Sequence, residues 1–129
     1  MKVLSQLLIT LLVALTNVAV AQAPATIDQA TLTKRLETKD ANLLVLDVRT
    51  PEEFAAGHVP GAKNIPHDQL PARLSELAGA KDKDLVVYCR SGRRTAIALD
   101  TLAKNGFTRA KHLEGDMLKW EENKLPIEK

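Results

Sequence analysis

The sequence predicts an α/β protein: a three-layer sandwich in which a mostly parallel sheet lies between layers of helices. Two continuous apolar runs, LLVL at residues 43–46 and LVVY at residues 85–88, are typical of strands that are buried on both faces. Segments with helical signals alternate with strand-like runs, as expected of β-α units. Ligand sites in such sheets lie at the carboxyl ends of the strands, so the residues that follow these two runs are the first candidates for a site.

The predicted helices carry their own start and stop signals. Asp28 is the predicted N-cap of the first helix. In the segment TPEEF, Thr50 is placed to cap a second helix, Pro51 suits the first helical position, and Glu53 completes a capping box. Gly57 is expected to end this helix within two turns.

Further elements follow along the chain. The segment HVPGAKNIP predicts an irregular connection with a short strand near residues 62–65, because it contains two prolines and a glycine. Leu70, Leu74 and Leu77 mark a short helix. The stretch TAIALDTLAKNG, residues 95–106, predicts a helix with apolar residues around most of its circumference, so we expect it to pack centrally.

The first residues differ from the rest of the chain. Residues 1–21 have a lysine near the start, an apolar centre and small residues at the end, which is the pattern of a secretory signal peptide. Cleavage after Ala21 or after Ala23 fits the small-residue rule, but Pro24 would follow the second cut directly. We therefore predict a domain of residues 22–129, exported to a periplasm or an equivalent space. The alternative is an uncleaved membrane anchor, since the segment is nearly long enough to span a bilayer.

Composition favours one soluble domain, because the chain of 129 residues has 26% charged and 45% hydrophobic residues. A formal net charge of +2 predicts no nucleic-acid partner and, after signal cleavage, no membrane partner. The single cysteine cannot form an internal disulfide, and three scattered histidines give no metal-ligand spacing. With no phosphate-binding or dinucleotide glycine motif either, we expect neither a metal nor a cofactor.

The single cysteine lies in the stretch VVYCRSGRRT, directly after a predicted buried strand. Loop N–H groups and a helix N-terminus that follow Cys89 would stabilise its thiolate. Gly92 supplies a backbone of unusual freedom, and Arg90, Arg93 and Arg94 supply positive charge for an anion. The pattern predicts an activated sulfur nucleophile in an anion-binding cradle. In the alternative interpretation Cys89 is an inert buried thiol, which has no need of three nearby cations.

Three stretches of the chain carry a family resemblance. LLVLDVRTPEEFAAGHVPGAKNIP resembles the first signature of the single-domain rhodaneses, VVYCRSGRRT resembles their active-site loop, and LEGDMLKWEENKLPI resembles their C-terminal signature. With the export signal, the chain resembles periplasmic rhodaneses of the phage-shock type. The fold implied by the resemblance is the same three-layer sandwich, here called rhodanese-like.

The resemblance implies thiosulfate sulfurtransferase activity by double displacement. Cys89 would be the catalytic residue that takes a sulfane sulfur from thiosulfate or a similar small anionic donor and holds it as a persulfide. Cyanide or a thiol would then accept the sulfur, with a protein reductant or a protein sulfur acceptor as a further possible partner. The substrate would be held by the loop N–H groups and by the arginines, within the set Arg90, Ser91, Gly92, Arg93, Arg94 and Thr95. Asp47 and Arg49 would support the loop through buried hydrogen bonds.

Two alternatives to this enzyme remain open. A cysteine phosphatase or arsenate reductase on the same fold would need an arginine after five intervening residues, whereas Arg94 follows Cys89 after four and the next position is Thr95. A non-enzymatic persulfide carrier would use the same cysteine but hand its sulfur to a protein partner. Loop length disfavours the first alternative and does not address the second.

Four other polar residues, three histidines and one aspartate, lie outside the cysteine loop. We expect His58, in GHVPGA, to fix a turn, and His67 and His112 carry no functional signal. Asp116, in LEGDM, stands where the resembling family commonly has a second glycine. If this backbone lies near the pocket mouth, the carboxylate would weaken the binding of an anionic donor or change the preferred one.

Overall fold

The computed structural model describes residues 25–129, so the predicted signal peptide lies outside the described residues. No helix within this range is long and apolar enough to cross a bilayer. The strands are β1 (Thr26–Ile27), β2 (Leu43–Asp47), β3 (Lys63–Asn64), β4 (Asp84–Tyr88) and β5 (Ala110–Leu113). The helices are α1 (Gln29–Glu37), α2 (Pro51–Ala56), α3 (Leu70–Arg73), a 3-10 helix (Leu74–Ala80), α4 (Arg93–Lys104) and α5 (Asp116–Glu122).

The five strands form one sheet in the order β1-β5-β4-β2-β3, and all four pairings are parallel. The central strand β4 pairs with β2 along its whole length, from Leu43 opposite Asp84 to Asp47 opposite Tyr88. The carboxyl ends of β2 and β4 therefore lie side by side. The loop that contains Cys89 leaves the sheet at this edge, as the sequence predicted.

Apolar side chains cover both faces of the sheet. On one face, Val87 and Leu46 pack in a cluster with residues of α3, the 3-10 helix and α4. On the other, Val86 packs in a cluster with residues of α1 and α5, including Trp120. Because successive strand residues point to opposite faces, a strand covered on both sides must be apolar throughout, which explains the run LVVY. The predicted three-layer α/β sandwich is confirmed.

The predicted helix boundaries agree with the structure near their caps. Asp28 accepts a hydrogen bond from the backbone of α1, and Thr50 and Glu53 form the expected reciprocal capping box of α2, which ends at Gly57. The predicted short helix at residues 70–77 is divided into one α-helical turn and a 3-10 helix, and neither has a side-chain cap.

Some elements escaped sequence analysis. β1 has two residues, and β5 reads Ala-Lys-His-Leu, so neither presents a run of apolar residues. Helix α4 begins at residue 93 rather than 95, because the chain turns into it at Gly92, where φ is +115°. The arginines of the loop therefore belong partly to the first helical turn.

Candidate active site

Cys89 lies immediately after β4 and is 1% exposed. Its Sγ accepts a hydrogen bond from the backbone N–H of Gly92 at 3.0 Å. This contact depends on the positive φ of Gly92, a conformation that glycine adopts without steric cost. Helix α4 starts at the next residue, so the positive end of its dipole is also directed at this loop. Both features favour a negatively charged sulfur over a neutral one.

The three arginines of the loop have different surroundings. Arg90 and Arg93 are exposed, and neither forms an ion pair with another residue of the described range. Arg94 instead donates to both carboxylate oxygens of Glu53 in α2, at 2.6 and 3.0 Å. Hydrogen bonding from Arg94 holds the pKa of Glu53 at about 2, below its usual range. Arg90 and Arg93 are thus the loop arginines with unpaired charge for an anion.

A cleft of about 190 Å³ opens beside the loop, with Arg90 on its wall. Arg49 and Gly57 line it from the end of β2 and the end of α2. Met117 and Leu118 line it from α5. The cleft is concave, as small-molecule sites are, and lies next to the residue that follows the cysteine; Glu53 and Glu121 also line it.

Asp47 and Arg49 form a buried ion pair at the end of β2. Asp47 is fully buried and accepts hydrogen bonds from Nη2 of Arg49 at 2.6 Å and from the hydroxyl of Tyr88 at 2.7 Å. The Tyr88 hydroxyl accepts in turn from the N–H of Val59. Burial, reinforced by the Asp47 carboxylate, raises the pKa of Tyr88 well above its ordinary value. The network ties the end of β4 to β2 directly before the cysteine, where a loop-supporting pair was predicted.

The position of Asp116 differs from the expectation. Its carboxylate is 2% exposed and lies beneath the loop rather than at a pocket mouth. Oδ1 accepts from the backbone N–H of Cys89 at 3.0 Å and from the hydroxyl of Thr95 at 2.9 Å. Asp116 adopts φ +50°, a left-handed conformation that aspartate tolerates better than most residues. Aspartate can therefore occupy a backbone position where glycine would be expected.

His112 is a site residue that sequence analysis missed. Its Nε2 lies 2.8 Å from Oδ2 of Asp116, on the side of the carboxylate away from Cys89 and Thr95. The signal was present as a His-Asp pair four residues apart, but β5 was not recognised and the histidine therefore could not be placed. His112 carries no functional signal in the sequence, and the structure places its ring against Asp116.

The structure also places Thr95, Ser91 and His58, which the sequence singled out. The Thr95 side chain is buried against Asp116, so only its backbone remains for the substrate cradle, and Ser91 is exposed in the loop. His58 stacks on Phe54, with ring centroids 3.7 Å apart, and its Nδ1 lies 2.8 Å from the Phe54 carbonyl oxygen. His58 therefore fixes the end of α2, as expected.

The fold and the site define an α/β protein whose one cysteine lies in an arginine-rich loop at the carboxyl edge of a parallel sheet. Residues 28–123 match the family described as the Rhodanese-like domain, and the chain belongs to this family. It is 41% identical over 102 residues to a sulfurtransferase from Allochromatium vinosum, an alignment that covers 78% of this chain and 92% of the relative. It is 33% identical over 87 residues to a putative sulfur carrier protein from Bacillus subtilis, covering 67% of this chain and 46% of the relative.

Among solved structures, the human single-domain sulfurtransferase is similar with a TM-score of 0.65 and 30% identity, covering 78% of this chain and 97% of the human one. The rhodanese-like domain of an Anabaena protein is similar with a TM-score of 0.72 and 30% identity, covering 83% and 80% of the two chains. The chain spans only 52% to 59% of the length of four other curated relatives that it matches.

Proposed function

We propose that this protein is a thiosulfate sulfurtransferase that moves a sulfane sulfur from thiosulfate or a similar anionic donor to cyanide or a thiol. The observation that carries the proposal is the 3.0 Å hydrogen bond from the Gly92 N–H to Sγ of Cys89. It places the only thiol of the chain where a loop amide and a helix N-terminus stabilise negative charge. The same groups would stabilise the terminal sulfur of a persulfide.

The reaction has two displacements. The Cys89 thiolate attacks the outer sulfur of thiosulfate, the sulfur–sulfur bond of the donor breaks, and sulfite leaves with the electron pair. The acceptor then attacks the outer sulfur of the persulfide, and the thiolate of Cys89 leaves. Each step exchanges one nucleophile for another without net oxidation or proton transfer. Arg90 and Arg93, the exposed and unpaired arginines of the loop, attract the dianionic donor.

The surroundings of Arg94 and Thr95 support sulfur transfer over phosphate chemistry. A cysteine phosphatase would need an arginine at position 95, and the side chain there is a buried threonine bound to Asp116. The preceding arginine is held by Glu53. Cys89-dependent release of phosphate from an aryl phosphate would contradict this assignment.

A persulfide carrier is the second candidate, favoured by the similarity to the Bacillus subtilis protein named as a putative sulfur carrier. A carrier would load one sulfur on Cys89 and turn over poorly with small acceptors. It would then need a protein partner to accept the sulfur, as the absence of a second cysteine rules out internal transfer. Multiple turnovers with cyanide or a small thiol would distinguish the enzyme from the carrier.

The proposal extends to location. The pattern of residues 1–21 supports export to the periplasm and a relationship to the phage-shock type of rhodanese. In an oxidising compartment a reactive thiolate is open to overoxidation and mixed disulfides, so a reductant is a further proposed partner. Cell fractionation and N-terminal sequencing test this: we expect a periplasmic protein that begins at Gln22, and a full-length membrane-bound chain would contradict it.

The test of activity is thiocyanate formation from thiosulfate and cyanide by the purified protein. We expect turnover in the wild type and none in Cys89→Ser. Ala103→Ser, an exposed serine introduced in α4, is the matched control and should retain full turnover. Activity that persists in Cys89→Ser would overturn the proposal.

A further inference from the structure

The carboxylate of Asp116 joins the two ends of the cysteine loop. Its Oδ1 binds the N–H of Cys89, where the loop leaves β4, and the hydroxyl of Thr95, where α4 has begun. The carboxylate is also close to the middle of the loop: a Cβ built on Gly92 would lie 3.2 Å from Oδ2. Gly92 itself donates to the sulfur. The carboxylate and the sulfur thus share two immediate neighbours, the amide of Cys89 and Gly92.

The buried negative charge of Asp116 opposes the ionisation of the cysteine in the loop above it. A thiolate and a carboxylate repel each other, and solvent screens this repulsion little because both residues are buried: Asp116 is 2% exposed and Cys89 is 1% exposed. The hydrogen bonds from Cys89 and Thr95 satisfy the carboxylate without cancelling its charge. A positive group beside the carboxylate would offset this repulsion and add to the stabilisation that the Gly92 N–H and the α4 dipole give the ionised sulfur.

His112 is the group positioned to supply that charge. Its Nε2 faces Oδ2 at 2.8 Å, and its side chain keeps 29% of its surface exposed. Because a carboxylate only accepts, Nε2 must carry a proton whether the ring is neutral or cationic. The second ring nitrogen can then gain or lose a proton while the bond to Asp116 stays in place.

We propose that His112 is a positioning residue of the sulfur-transfer reaction that acts through Asp116: its protonated ring balances the buried carboxylate and so keeps Cys89 a thiolate at mildly acidic pH. The assignment rests on the proposed function for its role in sulfur transfer. Its test reads the thiol directly and does not depend on any sulfur donor.

The charged groups on the elements around His112 do not replace it. On β5, α4 and α5 most of them bind partners of their own: Lys111 with Asp84, Glu114 with Thr26, Arg94 with Glu53, and Lys119 with Glu122. Arg90 and Arg93 stand on the solvent side of the loop, where water and salt screen their charge. Within the described residues, His112 is the one basic side chain in contact with the Asp116 carboxylate.

The test compares three variants with the wild type by the rate of Cys89 alkylation with iodoacetamide. His112→Gln keeps a donor toward Asp116 but cannot become charged. Asp116→Asn keeps an acceptor for Cys89 and Thr95 but carries no charge. The third variant combines both changes and restores a neutral pair. The chain has one cysteine, so all thiol signal comes from Cys89, and thiolate absorbance checks that the rate reports ionisation rather than access.

At about pH 5.5 we expect alkylation of His112→Gln to be about tenfold slower than that of the wild type, because the variant has no positive charge to balance Asp116. At about pH 9, where neither protein carries a positive charge at position 112, the rates should agree. The double variant should return to within about twofold of the wild type at acidic pH, because the charge that His112 balances is gone. If His112 only supported the loop, its replacement would slow alkylation at every pH. Replacing Asp116 as well would then not restore the rate.

An unchanged rate in His112→Gln, or a double variant as slow as His112→Gln, would overturn the proposal. If the single variant does not fold, the wild-type chain supplies the reciprocal measurement. The pH at which the His112 ring gains its proton can be followed by NMR. It should become lower once Cys89 is capped as a neutral thioether, because the coupling between the two groups acts equally in both directions. No shift would also overturn the proposal. If the alkylation results are as predicted but the protein transfers no sulfur, only the proposed function is refuted.

Discussion

Arg94 at the start of α4 and Glu53 in α2 form an ion pair with two short hydrogen bonds, Nη1–Oε1 at 2.6 Å and Nη2–Oε2 at 3.0 Å. The pair connects the helix that follows the cysteine loop to the helix that follows β2. Glu53 also completes the cap of its own helix. An arginine predicted to bind an anionic donor is therefore occupied by a carboxylate of the protein itself, with about a quarter of its side chain exposed.

Glu53→Gln should make the protein less stable at neutral pH by about 1 kcal/mol and remove part of its acid sensitivity. The hydrogen bonds from Arg94 hold the pKa of Glu53 at about 2 in the folded protein, below its ordinary value of 4.5. The stabilisation is therefore complete above about pH 4.5 and is lost as the pH falls toward 2. Urea unfolding across this range measures it. Glu52→Gln, an exposed neighbour on the same helix, is the control, and an equal loss in both variants would contradict the account.

Gly92→Ala should reduce sulfur transfer strongly and cost about 1–2 kcal/mol of stability, because φ is +115° and the added Cβ would lie 3.2 Å from the Asp116 carboxylate. Any relaxation moves the N–H that donates to Sγ. Gly79→Ala is the matched control: it has an ordinary φ and no heavy atom within 4 Å of the new Cβ. Turnover and urea unfolding are measured for both. A Gly92→Ala protein with normal turnover would show that the Gly92 contact is not needed.

Asp47→Asn should destabilise the protein by about 3–5 kcal/mol, because it leaves the buried guanidinium of Arg49 without its counter-charge. Tyr88→Phe should cost about 1–3 kcal/mol, since the N–H of Val59 loses its acceptor. Chemical unfolding gives both values. Asp68→Asn, at an exposed position, is the control. A loss in Asp47→Asn no larger than in the control would contradict a supporting role for this ion pair.

Arg90→Gln should raise the KM for thiosulfate about tenfold with little change in stability, because the lost interaction is one charge-assisted contact to the donor. Lys104→Gln removes one positive charge at the far end of α4 and is the control. Steady-state kinetics at several salt concentrations separates the two. If both variants raise KM equally, the effect is one of net charge and Arg90 does not bind the donor.

The fold was predictable where the physical signal is local. The runs at residues 43–46 and 85–88 identified β2 and β4, and the pattern Thr50-Pro51-Glu53 identified the start of α2, since a capping box needs only nearby residues. β1 and β5 gave no such signal. They are strands because Thr26 and Ile27 pair with His112 and Leu113 across most of the chain, which is a tertiary relationship.

The position of the cysteine in the candidate site was predictable from the sequence, but the side-chain contacts around it were not. The position of Cys89 after a buried strand follows from sequence order. The side-chain partners do not: the link between Arg94 and Glu53, and that between Asp116 and Cys89, depend on how α2 and α5 pack beside the loop. The unusual residue at position 116 was visible in the sequence. That its carboxylate lies beneath the loop depends on tertiary packing.

The central claim is that Cys89 carries sulfur, and intact-mass measurement tests it most directly. Wild-type protein and Cys89→Ala are each treated with thiosulfate, freed of excess donor and measured, with released sulfite determined in parallel. We predict that the wild type gains the mass of one sulfur atom with one equivalent of sulfite, that the gain disappears on addition of cyanide, and that Cys89→Ala gains nothing. A wild-type mass that does not change in folded protein with a free thiol, or an equal gain in both proteins, would contradict the claim.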